Sequence, residues 1–187
     1  METNPAVIFV QPSTWNKIFR LSLFTDHGIF FPGSVWYEDL CTIPKLYIHT
    51  DKMIYVEKCW YNYMQRSGSI MNSRMKLERN LEIISACENL IAYYKSQGVF
   101  EQYYRELEYA VFYNELLCSI DRVNMADRSS PVQDRLLDWY LERFPDYKNN
   151  RYIAEMPWKY RLLFSLILRR KYGFLHVLVK LNDIRHR

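Results

Sequence analysis

The larger, C-terminal part of this chain, residues 75–187, has the apolar spacing of α-helices almost throughout. Its first helical segment ends at Gly98, and a later one begins with Ser130 as a capping residue and Pro131 in the first turn, then stops before Pro145. Apolar residues three or four positions apart lie on one face of a helix, and such faces must be buried against each other. The first segment shows this at Leu77, Leu81, Ile84, Leu90 and Ile91. The pattern predicts a helical bundle.

Residues 1–74 have a different pattern, in which short β-rich runs alternate with helical ones. The runs AVIFV and IFF and the longer KMIYVEKCWYNYMQ are rich in strand-forming residues. STWNKIFRLSLFTDHG predicts a helix over residues 13–28, and GSVWYEDLCTIPKLYIHT predicts a second helix, interrupted at Pro44. We therefore predict an α+β chain that is predominantly α-helical, with a boundary between residues 1–74 and 75–187.

Composition narrows the class of protein further. The 187 residues contain only 5 Gly, which argues against a turn-rich all-β fold and against glycine-rich phosphate loops. Four cysteines without a CxxC pair favour buried free thiols in a reducing compartment: Cys41, Cys59, Cys87 and Cys118. Neither a signal peptide nor an uninterrupted apolar run of about 18 residues is present, so we predict a cytoplasmic protein.

The net charge of +4 is unevenly distributed. Residues 75–157 contain 10 Lys/Arg and 14 Asp/Glu, whereas residues 158–187 contain 8 Lys/Arg and 1 Asp. The basic tail permits two interpretations: an amphipathic segment at the inner, anionic face of a membrane, or a helix that caps the bundle while its cations stay hydrated. Nucleic-acid binding is not predicted, because the abundant Tyr residues have helical spacing and lie among Glu residues.

Two adjacent carboxylates, Glu38 and Asp39, lie where a Pro/Gly turn changes into an apolar helical segment. Acidic residues are favoured in the first turn of a helix because the free backbone amides and the helix dipole stabilise negative charge. A carboxylate at an accessible helix N-terminus can also act as a general base toward an incoming hydroxyl. The pair alone is consistent with either role.

Several short motifs occur in a definite order over residues 13–74. They are Trp15-Asn16-Lys17-Ile18, then Gly28, Ile29 and Phe31, then Glu38-Asp39-Leu40, and finally Tyr63, Arg66, Gly68, Ser69 and Ile70. This ordered set resembles the C-terminal half of bacterial family 2 glycosyltransferases. The resemblance implies the acceptor-side half of a GT-A-type fold. It also implies inverting transfer of a sugar from a nucleotide-sugar donor to a hydroxyl acceptor, as in surface polysaccharide or glycan assembly.

The resemblance also implies roles for individual residues. Asp39 corresponds to the catalytic base, and Glu38 to a residue that orients Asp39 or contacts the acceptor. The substrate-binding candidates are Trp15, Asn16, Lys17, Arg66 and Ser69, with Lys17 and Arg66 near the anionic part of the donor. Without the resemblance, Trp15 would simply pack, Asn16 and Lys17 would face water, and Arg66 would lie in a plain turn.

The chain departs from this family in one major respect. It contains no Asp-x-Asp motif, and the residues before Trp15 leave no room for a nucleotide-binding half. We therefore expect no cofactor in this chain, with a divalent metal (Mn²⁺ or Mg²⁺) only in a complete enzyme, and sugar transfer only when the other half is supplied. The alternative is a non-catalytic helical interaction module derived from the family. A truncated sheet would leave an exposed edge, which predicts self-association.

Overall fold

A computed structural model describes residues 4–64 and 74–185, and its described part is mostly helical. The α-helices are α1 (Ser22–Thr25), α2 (Glu38–Tyr47), α3 (Glu82–Ser96), α4 (Tyr104–Ala110), α5 (Cys118–Ala126), α6 (Val132–Arg143), α7 (Arg151–Ala154), α8 (Trp158–Leu168) and α9 (Tyr172–Arg185). A π-helical stretch, Val111–Leu117, connects α4 to α5. Three short 3₁₀ segments occupy Pro5–Phe9, Arg74–Leu81 and Tyr147–Asn149.

The helix ends in the bundle follow the sequence signals. Beyond the end of α3, Gly98 has a φ of +69°, a left-handed conformation that costs glycine little. Ser130 Oγ accepts a hydrogen bond from the Val132 amide at 3.4 Å at the start of α6, and α6 ends at Arg143, before Pro145. The prediction of a predominantly helical chain is confirmed.

The main core lies between α3, α4, α5, α6 and α8, and aromatic rings fill much of it. Phe112, in the π-helical stretch, is fully buried. Its ring centroid lies 4.3 Å from that of Phe164 on α8 and 5.9 Å from that of Tyr140 on α6. The many Tyr and Phe residues of the bundle therefore serve mainly to join its helices.

Helix α2 lies between two apolar clusters. Leu40 and Cys41 belong to the main core, whereas Ile43 and Leu46 belong to a smaller cluster formed with residues from the N-terminal segment. The predicted interruption at Pro44 does not occur, because α2 continues as far as Tyr47. The orientation of α2 is thus determined by contacts on both of its sides.

The strands predicted in residues 1–74 are absent from the described part of that region. Residues 5–9 form a 3₁₀ helix instead, and residues 52–64 have no regular secondary structure and are exposed along their whole length. The helix predicted over residues 13–28 is reduced to α1 and neighbouring turns. A strand requires a hydrogen-bonding neighbour, and no other described segment pairs with residues 52–64.

The cysteine prediction is correct only in part. The four cysteines form no disulfide with one another, but Cys59 and Cys118 are exposed while Cys41 and Cys87 are buried. Cys59 belongs to the exposed 52–64 segment, so its apolar neighbours in sequence do not cover it. Among the described helices, none combines the length and the apolar composition needed to cross a bilayer.

Candidate functional site

The Glu38–Asp39 pair forms the first turn of α2, as predicted. Asp39 is half-buried and its Oδ1 accepts a hydrogen bond from the Leu40 amide at 2.8 Å, whereas Glu38 is exposed. Asp39 Oδ2 accepts no hydrogen bond from any residue in the described ranges. One carboxylate oxygen therefore stabilises the helix start.

The two residues before the pair are held by the helical bundle. Glu82 Oε2 accepts a hydrogen bond from the Trp36 amide at 2.9 Å. The Tyr37 hydroxyl donates to Asn80 Oδ1 at 3.1 Å and accepts from Arg122 Nη1 at 2.8 Å. Tyr37 has a φ of 65°, which is unfavourable for a bulky residue and persists only where the surroundings impose it. These contacts determine the direction in which α2 begins.

The sequence contained no signal for these anchoring residues. Arg122 and Tyr37 are 85 positions apart, and Asn80 and Tyr37 are 43 apart. Each of the two partners looks like an ordinary polar residue on a helical segment. Only the packing of α5 against the segment 74–81, where the Tyr37 side chain reaches both, reveals that they meet.

Lys17 lies close enough to Asp39 for the two charges to interact, although they form no direct ion pair. Its Nζ donates instead to Gln11 O at 2.6 Å, Ser13 O at 2.8 Å and Asn16 Oδ1 at 2.8 Å. Partial burial lowers the pKa of Lys17, and the negative charge of Asp39 opposes that shift. The ammonium group thus adds positive potential near Asp39 without capping its oxygens.

Trp15 belongs to an exposed aromatic cluster with Tyr61 and Tyr63. Its ring centroid lies 5.4 Å from that of Tyr61 and 5.3 Å from that of Tyr63, with an interplanar angle of 31° in each pair. The three side chains retain between 43% and 55% of their exposure. We call these three residues the aromatic platform. Within the platform, Trp15 lies two residues before Lys17 in the sequence, and Lys17 interacts with Asp39.

Two of the predicted site residues cannot be located relative to Asp39. Arg66 and Ser69 lie outside the described residues, so their predicted role toward the donor stays a prediction. Within residues 4–64 and 74–185, no three His, Cys, Asp or Glu side chains come together as a metal site. Among the predicted site residues, the fold brings Lys17 near Asp39, and Trp15 and Asn16 directly precede Lys17 in the sequence.

Comparison with known proteins points to the same class as the motifs. The chain is 26% identical, over 94 residues, to a protein of Borreliella burgdorferi named cholesterol galactosyltransferase. The match covers 50% of this chain, and the chain spans 25% of the relative's length. No family model and no solved structure matches the chain. The similarity is to a glycosyltransferase, and it carries no information about family 2 or the GT-A fold.

Replacing Arg122 with Gln should release Tyr37 and loosen the start of α2. The loss of a charged donor to a partly buried hydroxyl should lower the free energy of unfolding by about 1.5 kcal/mol. Urea unfolding measures this loss, and hydrogen exchange should become faster at the amides of residues 38–41. The matched control is Arg135→Gln, because the ion pair of Arg135 with Glu78 is exposed and should contribute less than about 0.5 kcal/mol. Equal losses in the two variants would contradict the anchoring role.

Proposed function

We propose that this chain supplies the acceptor side of an inverting glycosyltransferase, which moves a sugar from a nucleotide-sugar donor to a hydroxyl acceptor. The observation that carries the proposal is the Asp39 carboxylate, half-buried at the start of α2 with one oxygen free of partners among the described residues. The motifs of residues 13–74 and the similarity to a galactosyltransferase support the same activity. The name of the similar protein favours a hexose as the transferred sugar.

Asp39 performs the proton transfer in this proposal. As the acceptor oxygen attacks the anomeric carbon of the donor sugar, the O–H bond breaks and its proton passes to the Asp39 carboxylate. A new bond forms between the acceptor oxygen and the anomeric carbon. The bond from that carbon to the donor phosphate breaks, and its electron pair leaves with the nucleoside diphosphate. Glu38, exposed beside Asp39, contacts or orients the acceptor.

The donor is bound largely outside this chain. A nucleotide-binding half supplied by another segment or chain would hold the nucleoside diphosphate, with Mn²⁺ or Mg²⁺ balancing its charge. Lys17 contributes positive potential near the reacting groups, and Arg66 and Ser69 are assigned to the donor by the motif resemblance alone.

In this proposal, the aromatic platform binds the apolar face of a pyranose ring. The faces of aromatic rings carry negative charge density, and the C–H groups of a sugar ring pack favourably against them. Asn16 lies beside Trp15, and its Nδ2 group donates to no other residue in the described part of the chain. That amide can therefore donate to a sugar hydroxyl.

We expect methyl β-galactoside to bind the isolated chain weakly, at the aromatic platform. Because an aromatic contact contributes about 0.5–1.5 kcal/mol, Trp15→Ala should weaken binding by about 3–10-fold. The shifts of the backbone amide signals of residues 13–17 in an NMR titration measure the affinity in each variant. Trp60→Ala is the matched control, since Trp60 is more exposed than Trp15 and lies outside the cluster. Equal binding by the two variants would remove the platform from the site.

Sugar transfer itself is tested with the chain completed by a nucleotide-binding half, either in one longer polypeptide or added as a separate domain. The completed protein is incubated with radiolabelled nucleotide-galactose and a divalent metal. Two kinds of hydroxyl acceptor are tested, a sterol and an oligosaccharide. The proposal expects labelled product from one kind of acceptor, with inverted anomeric configuration. Donor hydrolysis without transfer, or retained configuration, would contradict it.

A second candidate is a non-catalytic interaction module, and one observation favours it. Fifteen of the twenty exposed large apolar side chains described lie between residues 10 and 64. So many exposed apolar side chains in one part of a chain are typical of a region that another protein segment covers. Adding the nucleotide-binding half distinguishes the candidates: an enzyme half predicts a complex with it in light scattering, whereas a module predicts none.

A further inference from the structure

Helix α9 has apolar side chains on both of its sides. Toward the bundle, Leu175 is buried and His176 Nδ1 lies 3.1 Å from the carbonyl oxygen of Asn124. On the opposite side, Phe174, Val177 and Leu181 follow each other at spacings of three and four residues and are exposed. A helix with apolar residues all round is normally covered on every side. The outer side of α9 lacks such a cover within the described chain.

The preceding helix also has exposed apolar side chains. Helix α8 buries Phe164 and Ile167 in the main core and exposes Trp158 and Leu162, one turn apart, on another face. We call the exposed apolar residues of the two helices the hairpin surface: Trp158, Leu162, Phe174, Val177 and Leu181, exposed between 42% and 69%. Among the side chains described in residues 77–157, no large apolar one is exposed to this degree. Within the described part of residues 77–185, exposed large apolar side chains therefore occur in the last two helices.

Positive charge accompanies this apolar surface. Residues 158–187 contain 8 Lys/Arg and 1 Asp. Arg170 is used within the fold, where it pairs with Asp134 and Asp138 on α6. Other cations are exposed and form no ion pair with a described residue: Lys159, Arg161, Arg169, Lys171 and Lys180. An apolar face with cations around it complements an anionic bilayer, because apolar side chains enter the headgroup boundary while cations meet lipid phosphates.

We propose that the hairpin surface binds the surface of an anionic lipid bilayer. The charge favours this occupant over a second copy of the chain, because two copies of a strongly basic surface would repel each other. The two interpretations of the basic tail are thus compatible. The inner side of α8 and α9 caps the bundle, and the outer side contacts lipid. The proposal does not depend on sugar transfer.

The test is sedimentation of the full chain with vesicles of phosphatidylcholine alone or mixed with phosphatidylglycerol. We expect binding to the mixed vesicles, with little binding to the neutral ones and a decrease as salt is raised. The double variant Phe174→Ser/Leu181→Ser should lower the partition constant about tenfold. Arg161→Gln and Lys180→Gln should each lower it about fivefold, since each cation contributes about 1 kcal/mol near an anionic surface.

Two control variants separate this surface from the rest of the protein. Ile54→Ser removes an exposed apolar side chain from the 52–64 segment, and Arg128→Gln removes an exposed cation from the bundle. Both should leave vesicle binding unchanged. Each of three results would overturn the proposal. They are no binding to anionic vesicles, equal losses of binding in the control variants, and a dimer in solution that dissociates in the Phe174→Ser/Leu181→Ser variant. Circular dichroism confirms that every variant remains folded.

Discussion

Replacing Asp39 with Asn is expected to reduce sugar transfer by the completed enzyme about 10²–10⁴-fold. A positioned general base contributes about this much to rate, and an amide cannot accept the acceptor's proton. The amide side chain of the variant retains an oxygen that can accept the Leu40 amide hydrogen bond, so the start of α2 should remain intact. The loss should therefore appear in kcat, with KM for the acceptor and the thermal stability nearly unchanged.

Glu38→Gln is the matched control for this experiment. Glu38 is adjacent in sequence, has the same charge and is exposed, so its replacement should reduce transfer by about tenfold or less. An Asp39→Asn enzyme with unchanged turnover would remove the general-base assignment. If Glu38→Gln instead produced the large loss, the roles of the two carboxylates would have to be exchanged.

Asn150→Ala should lower the free energy of unfolding by about 3 kcal/mol, a large fraction of the stability of an ordinary domain. Asn150 Nδ2 donates to Glu108 Oε2 and to the Arg105 carbonyl, each at 2.7 Å, and its Oδ1 caps α7 by accepting from the Tyr152 amide at 2.9 Å. The Glu108 side chain is fully buried, and its Oε1 accepts no hydrogen bond from the described residues.

The expected loss has two physical sources. Removing a helix cap costs about 1 kcal/mol, and removing a donor to a buried carboxylate costs about 2 kcal/mol because that charge cannot regain water. The neighbouring Asn149 is exposed, and Asn149→Ala should change stability by less than about 0.5 kcal/mol. Urea unfolding of the two variants measures the difference. A loss below about 1 kcal/mol for Asn150→Ala would show that Arg105 Nη1, which donates to Glu108 Oε2 at 3.0 Å, is a sufficient partner for this carboxylate.

The helical bundle was predictable because its signals are local. Gly98 near the end of α3, Ser130 at the start of α6 and the acidic first turn of α2 each reflect interactions within a few residues of the chain. Such interactions depend little on the rest of the fold, so the pattern of apolar and capping residues is sufficient to locate them.

The strand prediction for residues 52–64 was wrong for the opposite reason. Val, Ile, Tyr and Trp fit a pleated surface, but a strand exists only when another segment satisfies its backbone groups. None of the described segments does so, and the side chains of residues 52–64 remain exposed. Strand propensity therefore indicated what these residues could form and not whether a partner was present.

The order of residues along the chain was enough to determine the helical character of the region after residue 74, the basic tail and the carboxylate pair at the start of α2, since each depends on near neighbours. Tertiary packing decided the direction of α2, the grouping of Trp15 with Tyr61 and Tyr63, and the burial of Glu108 against Asn150. These contacts join residues about 40 or more positions apart, and the free energy that selects them arises only when separate segments exclude water together.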